Sequence, residues 1–214
     1  LATLNGFLDQ KKYLEICKKI DSIEIIKTDT PIKKIKEDKI KVAFISGDFA
    51  NHSVSFFLKD ILKKINKKKF KLYALSNRPL FSHDETTIEL KKYFEEWKDT
   101  FDMDDESLLS YGRSLNLDIL VDLSGYTSFN RINVVRSRIA PIQISWLGYC
   151  NSLGLKNIDY IIADQNLILE NEKKQYLETV IYMPDIWNSL AMPENLPKIK
   201  NENTDFVYGS FNNF

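Results

Sequence analysis

The sequence predicts an α/β domain of Rossmann-like type: a parallel sheet covered by helices on both faces. Three observations carry this reading. From Ile40 onward, short apolar runs alternate with amphipathic stretches. The runs are apolar at successive positions, not at every second one, as strands buried on both faces are. Polar, turn-forming segments follow these runs, where the ligand-bearing turns of such sheets lie.

The elements follow in order. "LNGFLDQKKYLEICKKIDSI" spaces Phe7, Leu8, Leu14, Cys17 and Ile20 as one helical face. "KTDTPIKKIKEDK" is lysine-rich, carries Pro31 and reads as a solvated linker. "IKVAFISGD" gives a strand over Ile40 to Ser46, and "SVSFFLKDILKKI" a helix with Val54, Phe57, Leu58, Ile61, Leu62 and Ile65 on one side. "FKLYALS", Phe70 to Ser76, is the next strand, and "DETTIELKKYFEEW" reads as a helix starting near Asp84. "DDESLLSYGRSL" reads as a helix, "LDILVDLSG" as a strand ending at Asp122, "RINVVRSR" as helix-like, and "IQISWLG" and "IDYIIAD" as strands. No internal repeat of fixed period appears.

Bulk properties narrow the function. A chain of 214 residues with 43% hydrophobic and 12% aromatic content buries a core and is not disordered. Lys+Arg and Asp+Glu are both 30, so no net charge argues for nucleic acid or an anionic membrane as partner. Cys17 and Cys150 lack metal-site spacing and form no disulfide framework, which suits a reducing compartment. No apolar run approaches membrane-spanning length and no signal peptide is visible. The expectation is a cytoplasmic location. The chain begins at Leu1 and stops at the strand-like "DFVYGSFNNF", so it reads as a piece of something longer.

The strand-end rule selects three polar segments: Gly47, Asp48, Asn51 and His52; Ser124, Gly125, Tyr126 and Thr127; and Trp146 to Ser152. In a parallel sheet all three lie on one edge. His52 is one of only two histidines and sits just before Ser53, which reads as the N-cap of the following helix. The helix N-terminus disfavours imidazolium, leaving an imidazole that accepts a proton, positions a hydroxyl, or only bonds nearby backbone. Asp48 and Asp122 either cap turns or, in a receiver-like domain, bind magnesium. The Ser-Gly-Tyr-Thr turn could present N–H groups to a phosphate, yet neither GxxxxGK[ST] nor GxGxxG is present. Trp146 reads as core or as contact surface. His83 lies in a polar loop and receives no role.

Taken together, the segments resemble the catalytic region of glycosyltransferase family 41, the O-GlcNAc transferase and SPINDLY-type enzymes. The motifs are Asp48-Phe49-Ala50-Asn51-His52, Leu123-Ser124-Gly125-Tyr126-Thr127, Ala140-Pro141-Ile142-Gln143 running to Trp146-Leu147-Gly148-Tyr149, and Asp159-Tyr160-Ile161-Ile162-Ala163-Asp164. The stretch "QYLETVIYMPDIW" also matches. The resemblance implies a GT-B architecture with this chain as its N-terminal half: residues 40–214 a Rossmann-like catalytic half-domain, and residues 1–39 the helical end of a tetratricopeptide array plus a linker. It implies inverting, metal-free transfer from a nucleotide sugar, such as UDP-GlcNAc or GDP-fucose, to a Ser or Thr hydroxyl of a protein, with no other cofactor. It implies His52 as the active-site histidine that positions substrate. Asp48, Asn51, Gly125, Tyr126, Thr127, Trp146, Gly148, Tyr149, Asn151 and Ser152 become substrate-binding candidates. The family's Gly-Tyr-Pro-Gly-Thr-[ST]-Gly is here Gly148-Tyr149-Cys150-Asn151-Ser152-Leu153-Gly154, so this loop has its own shape. "HSVSFF" leans toward the SPINDLY side. The alternative reading is a non-catalytic carbohydrate- or protein-binding module on the same fold.

Overall fold

The computed structural model describes residues 9–33, 37–189 and 198. The expected strand-like run at "DFVYGSFNNF", and Phe7 and Leu8, lie outside these. Seven parallel strands form one sheet: β1 (Ile40–Ser46), β2 (Phe70–Ser76), β3 (Glu96–Asp99), β4 (Ile119–Asp122), β5 (Ile142–Ser145), β6 (Tyr160–Ala163) and β7 (Thr179–Tyr182), in the order β3-β2-β1-β4-β5-β6-β7. Helices α1 (Gln10–Asp21), α2 (Ser53–Lys64), α3 (Glu85–Lys91), α4 (Asp105–Ser114) and α5 (Ile132–Arg136) complete the frame.

The period-2 geometry of strands divides the core. Val42, Phe44, Leu72, Ala74 and Val121 point to the face covered by α2 and α3, where Leu58, Leu62 and Leu90 meet them. Ala43, Ile45, Tyr73, Leu75 and Leu120 point to the opposite face, against Leu108 and Leu109 of α4 and Val134 and Val135 of α5. β1 is buried from Lys41 onward, as a strand with neighbours on both sides and helices on both faces must be.

Two edge strands escape the sequence reading. The predicted helix from Asp84 ends at Lys91, and Glu96–Asp99 instead pairs with Tyr73–Ser76 of β2. "EWKD" is short, charged and alternately exposed, which suits an edge strand. "TVIY" forms β7 at the opposite edge, beside β6. α5 is also shorter than "RINVVRSR" suggested, with five residues.

The sheet order reverses between β1 and β4, which pair directly with Ile45 opposite Asp122. Their C-terminal turns therefore lie side by side. Ser124 reaches across, its Oγ accepting the Gly47 N–H at 3.3 Å. Asp122 is buried, and its two carboxylate oxygens accept the N–H groups of Ser124 (3.1 Å) and Gly125 (3.0 Å). Both oxygens thus hold the turn, which is the capping role.

Several matched motif residues hold the scaffold. Gln143 is fully buried; its amide N–H groups donate to the carbonyls of Val135 and Asn157, and its Oε1 accepts the Ile139 N–H. Asp159 takes a two-pronged contact from Arg138 at 2.9 and 3.0 Å and also accepts the Gln143 N–H. Asp164 accepts the N–H groups of Asn166, Leu167 and Trp187.

Gln143→Leu keeps the volume but leaves the buried Ile139 N–H unpaired and takes one partner each from the Val135 and Asn157 carbonyls. It should lower unfolding stability by about 2 kcal/mol in urea denaturation, whereas a loss below about 0.5 kcal/mol contradicts the role assigned. A second prediction concerns pH. Burial raises the Asp122 carboxyl from 3.8 to about 6, with the Ser124 and Gly125 N–H groups holding back part of the rise. The folded protein thus binds this proton more tightly than the unfolded chain does. The cost of ionising Asp122 is absent below its ordinary value and accrues as pH rises through about 6. Stability relative to Asp122→Asn should fall by about 2 kcal/mol from about pH 4 to about pH 7, and a pH-independent difference contradicts this.

Candidate active site

The site is assembled from the turns that follow β1, β4 and β5. The first carries His52, and here the structure departs from the reading of Ser53 as cap. His52 itself is the N-cap of α2: its backbone is extended and its Nδ1 accepts the Val54 N–H at 3.3 Å. Ser53 is the first helical residue. With Nδ1 an acceptor, the proton of the neutral ring sits on Nε2. The side chain is 47% exposed, so this N–H is available to a ligand.

Asp48 lies beside it, with Oδ2 4.0 Å from His52 Nδ1. Burial pushes the Asp48 carboxyl above its usual range, while Arg78 pulls it back in part. The turn is fixed at several points. Asp48 N–H donates to Ser46 Oγ, Ser55 Oγ donates to the Asp48 carbonyl, and Arg78 donates to the Gly47 carbonyl. Asn51 is held through its backbone, whose N–H donates to Asp84 Oδ2 at 2.6 Å. Burial of Asp84 is outweighed by the N–H groups of Asn51 and Thr87, which keep its carboxyl below the ordinary range.

The turn after β4 brings Gly125, Tyr126 and Thr127 to the same edge. Gly125 has φ +54°, and a Cβ there would sit 2.5 Å from Tyr149 Cβ, so both conformation and space demand glycine. Tyr126 donates to the Leu153 carbonyl and meets the Tyr149 ring edge-on, with centroids 5.7 Å apart. Thr127 closes the turn with N–H and Oγ1 both donating to the Ser124 carbonyl.

The loop after β5 is irregular: Leu147 has φ +80° and Gly154 φ +63°. A Cβ on Gly148 would lie 1.9 Å from the Leu123 carbonyl oxygen, so only glycine permits this approach. Tyr149 and Asn151, with Thr127, Gly148, Tyr176 and Gln10 of α1, line a cavity of about 600 Å³. Ser152 is buried, and its Oγ donates to Glu178 Oε2 at 2.6 Å. Trp146 is 7% exposed and faces the α2 side of the core, its indole N–H donating to the Trp187 carbonyl. Of the expected substrate-binding residues, Trp146 and Ser152 are thus interior. His52, Asp48 and Asn51 flank the turn, and Thr127, Gly148, Tyr149 and Asn151 wall the cavity. His83 stands apart, with Nε2 3.4 Å from Asp99.

The sequence reading missed two supports. Glu178, buried ahead of β7, accepts from Ser152 Oγ and from the N–H groups of Leu153 and Gly154. It lies within the matched "QYLETVIYMPDIW", which was its only signal. Arg78, after β2, ties the first turn down. Among the described residues no three His, Cys, Asp or Glu side chains gather as metal ligands do, and no helix is long and apolar enough to cross a membrane.

The Arabidopsis thaliana protein named probable UDP-N-acetylglucosamine–peptide N-acetylglucosaminyltransferase SPINDLY is 32% identical over 188 residues, 84% of this chain and 20% of that protein. The barley (Hordeum vulgare) protein of the same name is 30% identical over the same share. The chain therefore spans about a fifth of the length of the curated relatives it matches. A solved structure of a mutant O-GlcNAc transferase of Thermobaculum terrenum superimposes with a TM-score of 0.80 at 24% identity, over 91% of this chain and 37% of that one, and it shares the fold. The family profile described as Glycosyl transferase family 41 matches residues 11–201, and the chain belongs to that family.

Proposed function

We propose that this chain is the N-terminal part of the catalytic region of a protein O-glycosyltransferase. The enzyme transfers a sugar with inversion from a nucleotide sugar to a Ser or Thr hydroxyl. In this reading residues 40–214 form one wall of a two-walled cleft, residues 1–39 join it to a preceding helical array, and the enzyme works in the cytoplasm. The observation that carries the reading is the convergence of the β1, β4 and β5 turns at the switch point, with an available His52 N–H on that edge.

The chemistry asks three things of the site. An acceptor hydroxyl attacks the anomeric carbon from the face opposite the leaving group, and the bond from that carbon to the nucleotide diphosphate breaks. The hydroxyl proton leaves as the new glycosidic bond forms. Negative charge grows on the diphosphate and needs donors or cations, which this reading assigns to the other wall. This wall contributes position. Because Nδ1 is committed to Val54, His52 acts through Nε2–H as a donor to a substrate oxygen and not as the proton's first acceptor. Thr127, Tyr149 and Asn151 shape the adjoining surface for sugar and acceptor. The relatives' names specify UDP-GlcNAc; GDP-fucose is the donor that the SPINDLY leaning adds.

The test uses the complete gene product with both donors and a panel of Ser/Thr peptides. His52→Asn is the informative variant, because Asn caps a helix well and keeps α2 intact. It should lower kcat/KM by about 100-fold with the Tm nearly unchanged. Unaltered turnover contradicts the role of His52. A wild-type protein that binds sugars or peptides yet transfers neither donor's sugar supports the binding-module alternative.

A further inference from the structure

The cleft loop from Gly148 to Gly154 is held from two directions. From within the sheet, Glu178 binds its far end at Ser152, Leu153 and Gly154, and Tyr126 binds the Leu153 carbonyl. From outside it, α1 grips the near end, the part that faces the cavity. Gln10 and Asn151 form a reciprocal amide pair: Gln10 Nε2 donates to Asn151 Oδ1 at 2.8 Å, and Asn151 Nδ2 donates to Gln10 Oε1 at 3.3 Å. Gln10 also donates to the Gln175 carbonyl on the opposite rim. One turn along, Tyr13 donates its hydroxyl proton to the Ser152 carbonyl at 2.6 Å. A phenol has one proton, so in the Tyr13–Tyr149 hydroxyl pair at 2.9 Å it is Tyr149 that donates. The hydroxyl proton of Tyr149 is thus spent on α1, and Tyr149 offers the cavity its ring.

We propose that Gln10 and Tyr13 are positioning residues that set the loop bearing Tyr149 and Asn151, and so tune acceptor binding from the segment ahead of the sheet. The inference rests on the transferase reading of the site. Its physical basis is the loop's own weakness. The backbone turns through a left-handed residue at each end, Leu147 and Gly154, and lacks the Pro and Gly the family places in its middle. Within the loop the Tyr149–Asn151 portion has one side-chain restraint, Asn151 Oδ1 accepting the Ser152 N–H, and outside it the Tyr126 ring and the Tyr176 hydroxyl bear on Tyr149 and the Cys150 carbonyl. The amide pair and the phenol pair add to these restraints, and Gln10 is itself part of the cavity wall. The cavity wall runs from Thr127 and Gly148, beside the helix that His52 caps, to Tyr176 and Gln10, so α1 contributes to one side of it. An acceptor peptide lying along the α1 side of this wall touches Gln10 and Asn151 and not His52, so disturbing that side alters acceptor binding rather than the chemical step.

The experiment uses the complete gene product carrying Gln10→Ala, Tyr13→Phe, Asn151→Ala and the Gln10→Ala/Asn151→Ala pair. Each single α1 variant should raise acceptor KM by about fivefold, with kcat changed less than about twofold and the Tm nearly kept. The double variant should raise KM by less than the product of the two single effects, because Gln10 acts in large part through Asn151. Exchanging the two side chains, Gln10→Asn with Asn151→Gln, should restore KM to within about twofold of wild type. Amide exchange at Tyr149 to Ser152 should quicken by about tenfold in Tyr13→Phe while residues 124–127 stay protected. Additive losses, an unchanged acceptor KM, or a collapse of the Tm that exchange of the pair does not rescue each overturn the proposal. If the wild-type protein transfers no sugar, the transferase reading fails instead. The exchange measurement then still decides whether α1 holds the loop.

Discussion

Everything at the candidate site depends on one pairing, β1 against β4. Because β2 and β3 build outward from β1 in one direction and β5 to β7 from β4 in the other, the connection from β3 must cross back over the sheet. At that reversal two strand ends stand side by side with their loops diverging, and a crevice follows from the topology alone. The turn residues fix the two strand ends to each other. Ser124 bonds Gly47 across the gap, and Asp122 curls its own chain back through two backbone N–H groups. A buried carboxylate used in this way is a costly device, kept where a turn must hold one shape.

The family motifs divide on inspection into scaffold and surface. Gln143, Asp159 and Asp164 spend their polar groups on the backbone or on Arg138. Their task is to fix the ends of β5 and β6, from which the cleft loop springs. His52 combines the two categories. One ring nitrogen caps α2 and the other is left for a ligand, so the helix sets the tautomer that the site presents. The cleft loop goes further and borrows its support from α1, so residues far apart in sequence, Gln10 and Tyr13 against Asn151 and Tyr149, define one wall.

Much of this was legible in the sequence. The central strands announced themselves because burial on both faces leaves continuous apolar runs, and Ile40–Ser46 and Phe70–Ser76 fall where those runs lie. The edge strands did not. Glu96–Asp99 carries three charged residues, and "TVIY" is as short as a turn of helix. The strand-end rule also brought the right turns to one edge, but it could not orient side chains. Trp146 turns into the core because the space above α2 accepts its indole and the Trp187 carbonyl satisfies it. Ser152 turns inward because Glu178 arrives from β7's approach, a contact across 26 residues with no local signature. The role of α1 was invisible for the same reason: helical spacing predicts a buried stripe at Cys17, not that Gln10 and Tyr13 reach a loop 136 or more residues away.

The central claim is that the strand-end edge around the β1–β4 reversal is where ligands meet this wall. Hydrogen exchange of the complete gene product, with and without nucleotide sugar and acceptor peptide, measures it directly. Ligand-dependent protection is expected in residues 47–54, 124–128 and 147–152, and none at the opposite edge, in the segments entering β2 at 66–69 and β4 at 115–118. Protection confined to that opposite edge, or to the outer helix surfaces, would contradict it.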